Sequence, residues 1–191
     1  LSISAKRRKM QILLSGIFFE HRRFEDAIEA MKIIKDRDYR VGMDIVGDYS
    51  NNLDYYHRLI EFVGKLDLRG NVRFLGVLSD EEFLAERHAS DIAIFPYHLQ
   101  SWGLAVFEAM ACGTPVIVSR TLGAAEVLTD GENTLLVNPK SPQEIAAALE
   151  KLLNDSGLYL RLSGNGRKFV EENISWSKYT QEMLGVFNKA R

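Results

Sequence analysis

The residues best suited to chemistry in this chain lie between Gln100 and Glu108. The row reads Gln100-Ser-Trp-Gly-Leu-Ala-Val-Phe-Glu108 and runs on into Ala-Met-Ala-Cys-Gly-Thr-Pro-Val. Gly103 opens an apolar helical stretch, and a residue without a side chain lets a ligand approach the backbone closely. The amides of Gly103, Leu104 and Ala105 then stand at a helix start, where N–H groups lack intrahelical partners and the dipole favours negative charge. That is a seat for a phosphate or diphosphate. Glu108 follows about one turn further in, a lone acid on an otherwise apolar segment. Two readings of it stay open: its carboxylate caps backbone donors of a neighbouring loop, or it accepts from both hydroxyls of a diol.

Such a loop needs a rigid frame. Short apolar runs at 10–15, 41–46, 72–75, 92–95, 116–119 and 134–137 read as strands covered on both faces. Helix-period segments alternate with them. Ala27, Ile28, Met31 and Ile34 form one stripe; Leu59, Ile60, Phe62, Val63 and Leu66 form another. Ser79-Asp-Glu-Glu82 reads as a capping box, and Ser141-Pro-Gln-Glu144 as a second one with Pro in the first helical position. After the last strand the pattern is helical at 142–154, 158–172 and 176–189. The fold class expected is α/β, a doubly wound, parallel, six-stranded Rossmann-like sheet with C-terminal helices. Ligands of such sheets bind at the carboxyl ends of the strands near the switch point. That singles out the loops 16–23, 47–52, 76–79, 96–103 and 120–125.

Composition narrows the function classes. With 46% apolar and 26% charged residues the 191-residue chain is ordinary globular protein. One cysteine, Cys112, excludes a disulfide framework and a Cys-based zinc site, and reads as a small buried hydrophobe. A formal charge of -2 argues against nucleic acid as partner. No apolar run approaches the roughly 18 residues of a membrane span. The opening Leu1-Ser-Ile-Ser-Ala, without an initiator Met, and the basic run Lys6-Arg-Arg-Lys9 read as a linker, 1–9, from a preceding domain. A sharper reading of the basic run is peripheral contact with anionic headgroups at the inner face of a membrane, in an otherwise cytoplasmic protein.

The segment from Gln100 to Val116 resembles the donor-binding domain of glycosyltransferase family 4, of the GT-B fold. That family carries the frame Glu-x-Phe-Gly-x-x-x-x-Glu-Ala-Met-Ala-x-Gly-x-Pro-Val. Here Trp102, Gly103, Glu108, Ala109, Met110, Ala111, Gly113, Pro115 and Val116 fit it, with Gln100 at the first glutamate. The resemblance extends along nearly the whole chain. Ile45-Val-Gly-Asp48, Asn71-Val-Arg-Phe-Leu-Gly76 and Ala89-Ser-Asp-Ile-Ala-Ile-Phe-Pro96 match strand-and-turn segments, and Gly123-Ala-Ala-Glu126 resembles a Gly-Gly-x-x-Glu loop with Leu122 at the first Gly. The first loop departs furthest. The family has Gly-Arg-Leu with a Lys-Gly beyond; here Gly16 is followed by Ile17, and Arg22 and Arg23 stand at the Lys and Gly positions.

The resemblance implies the C-terminal, nucleotide-sugar-binding half of an enzyme that transfers a sugar from a UDP- or GDP-linked donor with retention, without a metal or other cofactor. The donor domain would span 10–174 and a helix at 175–191 would cross back to a missing N-terminal domain holding the acceptor. The isolated half would bind nucleotide without transferring sugar. Arg22, helped by Arg23 and the amides at 103–105, would meet the diphosphate. Glu108 would hold the ribose and Gln100 the donor sugar. Backbone at Gly76 and Val77 would meet the base edge, and Gly16 and Gly47 would contact the donor. Asp48, Trp102 and Glu126 would border the donor, or serve as a turn former, a packing residue and a cap. Against the phosphate role, Arg22 and Arg23 could be solvated or paired with Glu25 and Asp26. His21 and His98 lie in ligand loops but also suit polar surface. The alternatives are a scaffold that kept the fold and lost activity, which Ile17 and Gln100 make thinkable, and a nucleotide-sugar epimerase, for which no acid/base set declares itself.

Overall fold

The computed structural model describes residues 9–99 and 102–189. Six parallel strands form one sheet: β1 (Met10–Ser15), β2 (Val41–Val46), β3 (Val72–Gly76), β4 (Ile92–Phe95), β5 (Val116–Ser119) and β6 (Leu135–Val137). Their order across the sheet is β3-β2-β1-β4-β5-β6. The chain therefore winds outward from β1 through α1 (Phe24–Asp36) and α2 (Leu53–Lys65) in one direction. It then returns through α3 (Asp80–Ala89) and α4 (Leu104–Ala111) in the other. Right-handed crossovers put these two sets on opposite faces. α5 (Pro142–Asn154) packs on α1, and α6 (Ser156–Asn173) packs on α4. The last helix is α7 (Trp176–Lys189).

The six strands form where short, β-branched and apolar runs were expected, because both faces are covered. Every residue of β2, β4 and β5 is buried. Ile12, Leu14, Ile45, Ile92, Ile94, Val116 and Val118 are sealed from solvent between the helical layers. Each such side chain contributes about 1.5–3 kcal/mol by burial. Among the described residues one charged group is buried within this sheet: Asp44 is wholly buried and accepts from Gln11 Nε2 and from two guanidinium nitrogens of Arg73.

The helix starts divide. The Ser79–Glu82 capping box forms with both of its reciprocal hydrogen bonds. The one expected at Ser141 does not form: Ser141 makes no side-chain cap, and Glu144 turns back to the backbone and side-chain amides of Asn138. The competing donors lie just upstream, and two bonds from one Asn outweigh a single cap. α6 begins at Ser156, two residues earlier than expected, because the Asp155 side chain accepts from the Leu158 amide. Cys112 is half-buried, beyond the end of α4. No helix of the described residues is long and apolar enough to cross a membrane. The basic run lies almost wholly outside the described residues, as do the side chains of Trp176 and Phe187; on α7, Tyr179 is exposed and Met183 half-buried.

Candidate donor pocket

Two glycine turns at neighbouring strand ends make the floor of the site. Gly16 follows β1 with φ 150° and Gly47 follows β2 with φ 154°, a region L side chains rarely adopt. They are pressed together. A Cβ on Gly47 would lie 1.9 Å from the Gly16 carbonyl oxygen. Backbone bonds stitch the turns: Gly16 N–H donates to Val46 O, Gly47 N–H to Gly76 O and Phe18 N–H to Asp48 O, each at 2.9 Å.

Above this floor is a cavity of about 540 Å³, the size of a small-molecule site. It opens at the switch point between β1 and β4, and its walls come from the β1, β2 and β3 ends, α3 and the start of α4. Ten of the expected residues line it: Gly16, Arg22, Gly47, Asp48, Val77, Trp102, Gly103, Leu104, Ala105 and Glu108. Gly76 belongs to the turn beneath Val77 but is not in the wall. Gln100 lies outside the described residues.

Arg22 is fixed by its neighbours. It ends a single 3₁₀ turn, Glu20–Arg22. Its guanidinium carbon lies 4.3 Å from the centre of the Tyr97 ring. Its Nε is buried with no hydrogen-bond partner among the described residues. A Cβ on Gly16 would stand 3.0 Å from the Tyr97 hydroxyl and 3.6 Å from that Nε, so glycine is what leaves room for both. Tyr97 donates its hydroxyl to the Ser15 carbonyl, and burial pushes its pKa up to about 12. Burial, and then the charge of Arg22, lower the pKa of His21.

Arg23 points elsewhere. Its guanidinium grips Asp26 through Nε at 2.9 Å and Nη2 at 2.7 Å, and Glu25 through Nη1 at 2.7 Å. The first-turn acids of α1 claim it, and the diphosphate role expected for it has no support in its position. Its backbone is left-handed, φ 53°, where the resembled family has glycine. Glu126 is exposed on the turn after β5 and likewise stands outside the cavity. Neither histidine is in the wall. His21 stacks on Phe19 with ring centres 5.5 Å apart, and the His98 amide donates to the His21 carbonyl.

α4 starts as expected. Gly103 has φ 78° and brings no capping side chain, so among the described residues the amides of Leu104 and Ala105 at the helix start have no acceptor. A Cβ there would press to 3.0 Å against Leu122. Trp102 does two things: it lines the cavity and packs on Phe107, ring centres 5.5 Å apart. Asp48, also in the wall, is held below the usual carboxylate range by hydrogen bonds from the Ser50 hydroxyl and amide. Glu108 projects from α4 into the cavity and makes an ion pair with Arg87 of α3.

Arg87 is the residue the sequence did not announce. It lines the cavity, has its guanidinium carbon over the Phe83 ring, 4.0 Å from the centre, and is mostly buried. The i,i+4 spacing of Phe83 and Arg87 on the capped helix was the available signal. Among the described residues the charged groups of the wall are therefore two arginines, Arg22 and Arg87, and two carboxylates, Asp48 and Glu108. This set can bind an anion at Arg22 and the α4 amides, and a hydroxyl pair at Glu108. Among the described residues no group of three or more His, Cys, Asp or Glu side chains is placed to hold a metal ion.

Comparison with known proteins agrees with this fold. The family model for group 1 glycosyl transferases matches residues 2–169. A glycosyltransferase of Methanocaldococcus jannaschii is 29% identical over 99% of the chain and 47% of its own length. The C-terminal domain of a group 1 glycosyl transferase from Francisella tularensis superposes with a TM-score of 0.79 at 28% identity, covering 87% of each chain. HepE of Anabaena, solved with UDP, has the same fold, with a TM-score of 0.86 at 22% identity over 96% of this chain and 50% of its own. The chain thus spans about half the length of the Methanocaldococcus and Anabaena proteins. By its matched sequence and its fold, it belongs to the group 1 glycosyl transferases.

Proposed function

We propose that this chain is the donor-binding half of a family 4, retaining glycosyltransferase, and that the cavity beneath Gly103 holds a UDP- or GDP-linked sugar. The observation that carries the reading is the convergence of Arg22, the first residues of α4 and Glu108 on one cavity at the switch point. The leaving diphosphate takes on charge as the glycosidic bond breaks. Arg22 and the helix start meet that charge with groups already in place. Glu108 accepts from the ribose diol, Gln100 contacts the donor sugar and the backbone at Val77 and Leu78 edges the base. HepE's complex with UDP supports a nucleoside diphosphate as the core of the ligand. The acceptor binds a second domain, N-terminal to 10–174, and α7 returns toward it; transfer needs both halves.

A thermal-unfolding panel of the 191-residue chain with UDP, GDP and ADP tests this. A nucleotide at 100 times its dissociation constant stabilises by about 2.7 kcal/mol. One responding nucleotide is the expected result. Silence across the panel would favour a scaffold that has lost its ligand.

A further inference from the structure

We propose that Arg87 is a positioning residue for diol recognition: it fixes the Glu108 carboxylate so that the pocket distinguishes ribonucleotides from 2′-deoxyribonucleotides. The inference rests on the nucleotide-binding reading above. Arg87 and Glu108 come from different helices, α3 and α4, and meet across the cavity wall through Nη2 and Oε2. The two partners are not equally held. The Arg87 side chain is 14% exposed, with its guanidinium over the Phe83 ring, whereas the Glu108 side chain is 49% exposed. The buried, stacked cation is the fixed member, so it sets where the exposed carboxylate points. Arg87 takes Oε2, and Oε1 has no protein partner among the described residues. Oε1 and the second lone pair of Oε2 are then presented together to a pair of hydroxyls. An unpaired, half-exposed glutamate would lose rotamer freedom on binding; one already tethered loses less.

The frame explains why this matters here. Glu108 sits one turn into α4, past the anion seat, so a diphosphate at Gly103 brings a ribose within its reach. α3 is itself held in register. Its start carries the Ser79–Glu82 capping box, and Glu86, next to Arg87, faces the buried Asp44 of β2. The orientation of the carboxylate is thus traced back to the sheet.

The test measures the affinity of UDP, GDP and their 2′-deoxy analogues by calorimetry, for the wild-type chain, Arg87→Met, Arg87→Lys and Glu108→Gln. Met keeps the packing on Phe83 and removes the cation; Lys keeps the cation without the planar fork. The wild type should prefer the ribonucleotide by about tenfold or more. Arg87→Met should cut that ratio to about threefold or less, with deoxynucleotide affinity within about twofold of wild type. Arg87→Lys should recover part of the ratio, and Glu108→Gln should lose it. An intact ratio in Arg87→Met, or an equal loss for ribo and deoxy forms, would overturn the positioning role and leave the donor site standing. Wild type that binds both forms equally would overturn the diol assignment and this role with it. Wild type that binds no nucleotide would overturn the donor-site reading itself.

Discussion

The guanidinium of Arg22 lies over the Tyr97 ring, its carbon 4.3 Å from the ring centre, while the Tyr97 hydroxyl is donated to the carbonyl of Ser15. The ring face and the tight Gly16 turn hold a cation at the cavity wall with no acidic partner among the described residues. Its neighbour Arg23 is neutralised by Asp26 and Glu25. Two adjacent arginines thus have opposite fates, set by which side of the 3₁₀ turn each leaves.

That division predicts a clean pair of variants. Arg22→Met should weaken nucleoside diphosphate binding by about tenfold or more, as expected for loss of a charge-assisted bond of about 1.5–3 kcal/mol, with little change in the urea midpoint. Arg23→Met should leave nucleotide affinity unchanged. It strips the buried Asp26 of its partner and should cost about 1–3 kcal/mol of folding stability. Calorimetry and urea unfolding of both variants check the two arms together.

Gly47→Ala should be severe. The methyl would meet the Gly16 carbonyl oxygen at 1.9 Å, on a backbone with φ 154°. Displacing one strand-end turn against another should cost about 3–4 kcal/mol and abolish nucleotide binding. Unfolding midpoint and calorimetry report both losses.

Ile17 stands where the resembled family has arginine, is 43% exposed and lines the cavity. Ile17→Arg should tighten diphosphate binding several-fold, corresponding to about 1 kcal/mol for a partly screened charge. The gain should shrink as salt rises from low to physiological strength. Titrations at two ionic strengths check it.

The pH dependence has a defined sign. Burial raises the Tyr97 pKa from its ordinary value near 10 to about 12. The native state therefore keeps a proton that the unfolded chain releases, and the stability this brings is full below pH 10 and lost as pH rises through 12. Tyr97→Phe should flatten the fall in stability over that window. Some slope should remain, because burial also raises Tyr55. Urea midpoints measured from pH 9 to 12 in both proteins decide it.

Gln100→Glu should change donor preference or affinity. A hydrogen bond to a carboxylate is worth about 1.5–3 kcal/mol against about 0.5–1.5 for a neutral one, and Gln adds a donor that Glu lacks. Competition between nucleotide sugars reads the change, and identical profiles would count against a sugar contact at this position.

Much of this was legible in the row of residues, for identifiable reasons. β2, β4 and β5 are buried on both faces, so their apolar runs needed no alternation to be recognised. Gly103 and Glu108 sit on one short helix, where spacing alone fixes their relation. Arg87 was hidden because half of the residues of α3 are charged and it reads as a surface helix; its partner Glu108 is twenty-one residues away on another element. For Arg23 the row of residues offered two readings, diphosphate contact and pairing with Glu25 and Asp26, and the structure has the pairing, through the i,i+3 acid. The Ser141 cap failed for a similar reason: the pattern was right, and Asn138 offered Glu144 more.

The central claim is that the cavity at the switch point seats a nucleoside diphosphate. Amide chemical-shift mapping of the 15N-labelled chain during titration with UDP and GDP tests it most directly. The expected result is saturable shifts confined to Gly16, Ile17, Val77, Leu78, Gly103, Leu104 and Ala105, which in Arg22→Met need at least about tenfold more nucleotide to saturate. Saturable shifts centred away from these loops, or none at millimolar nucleotide, would contradict it.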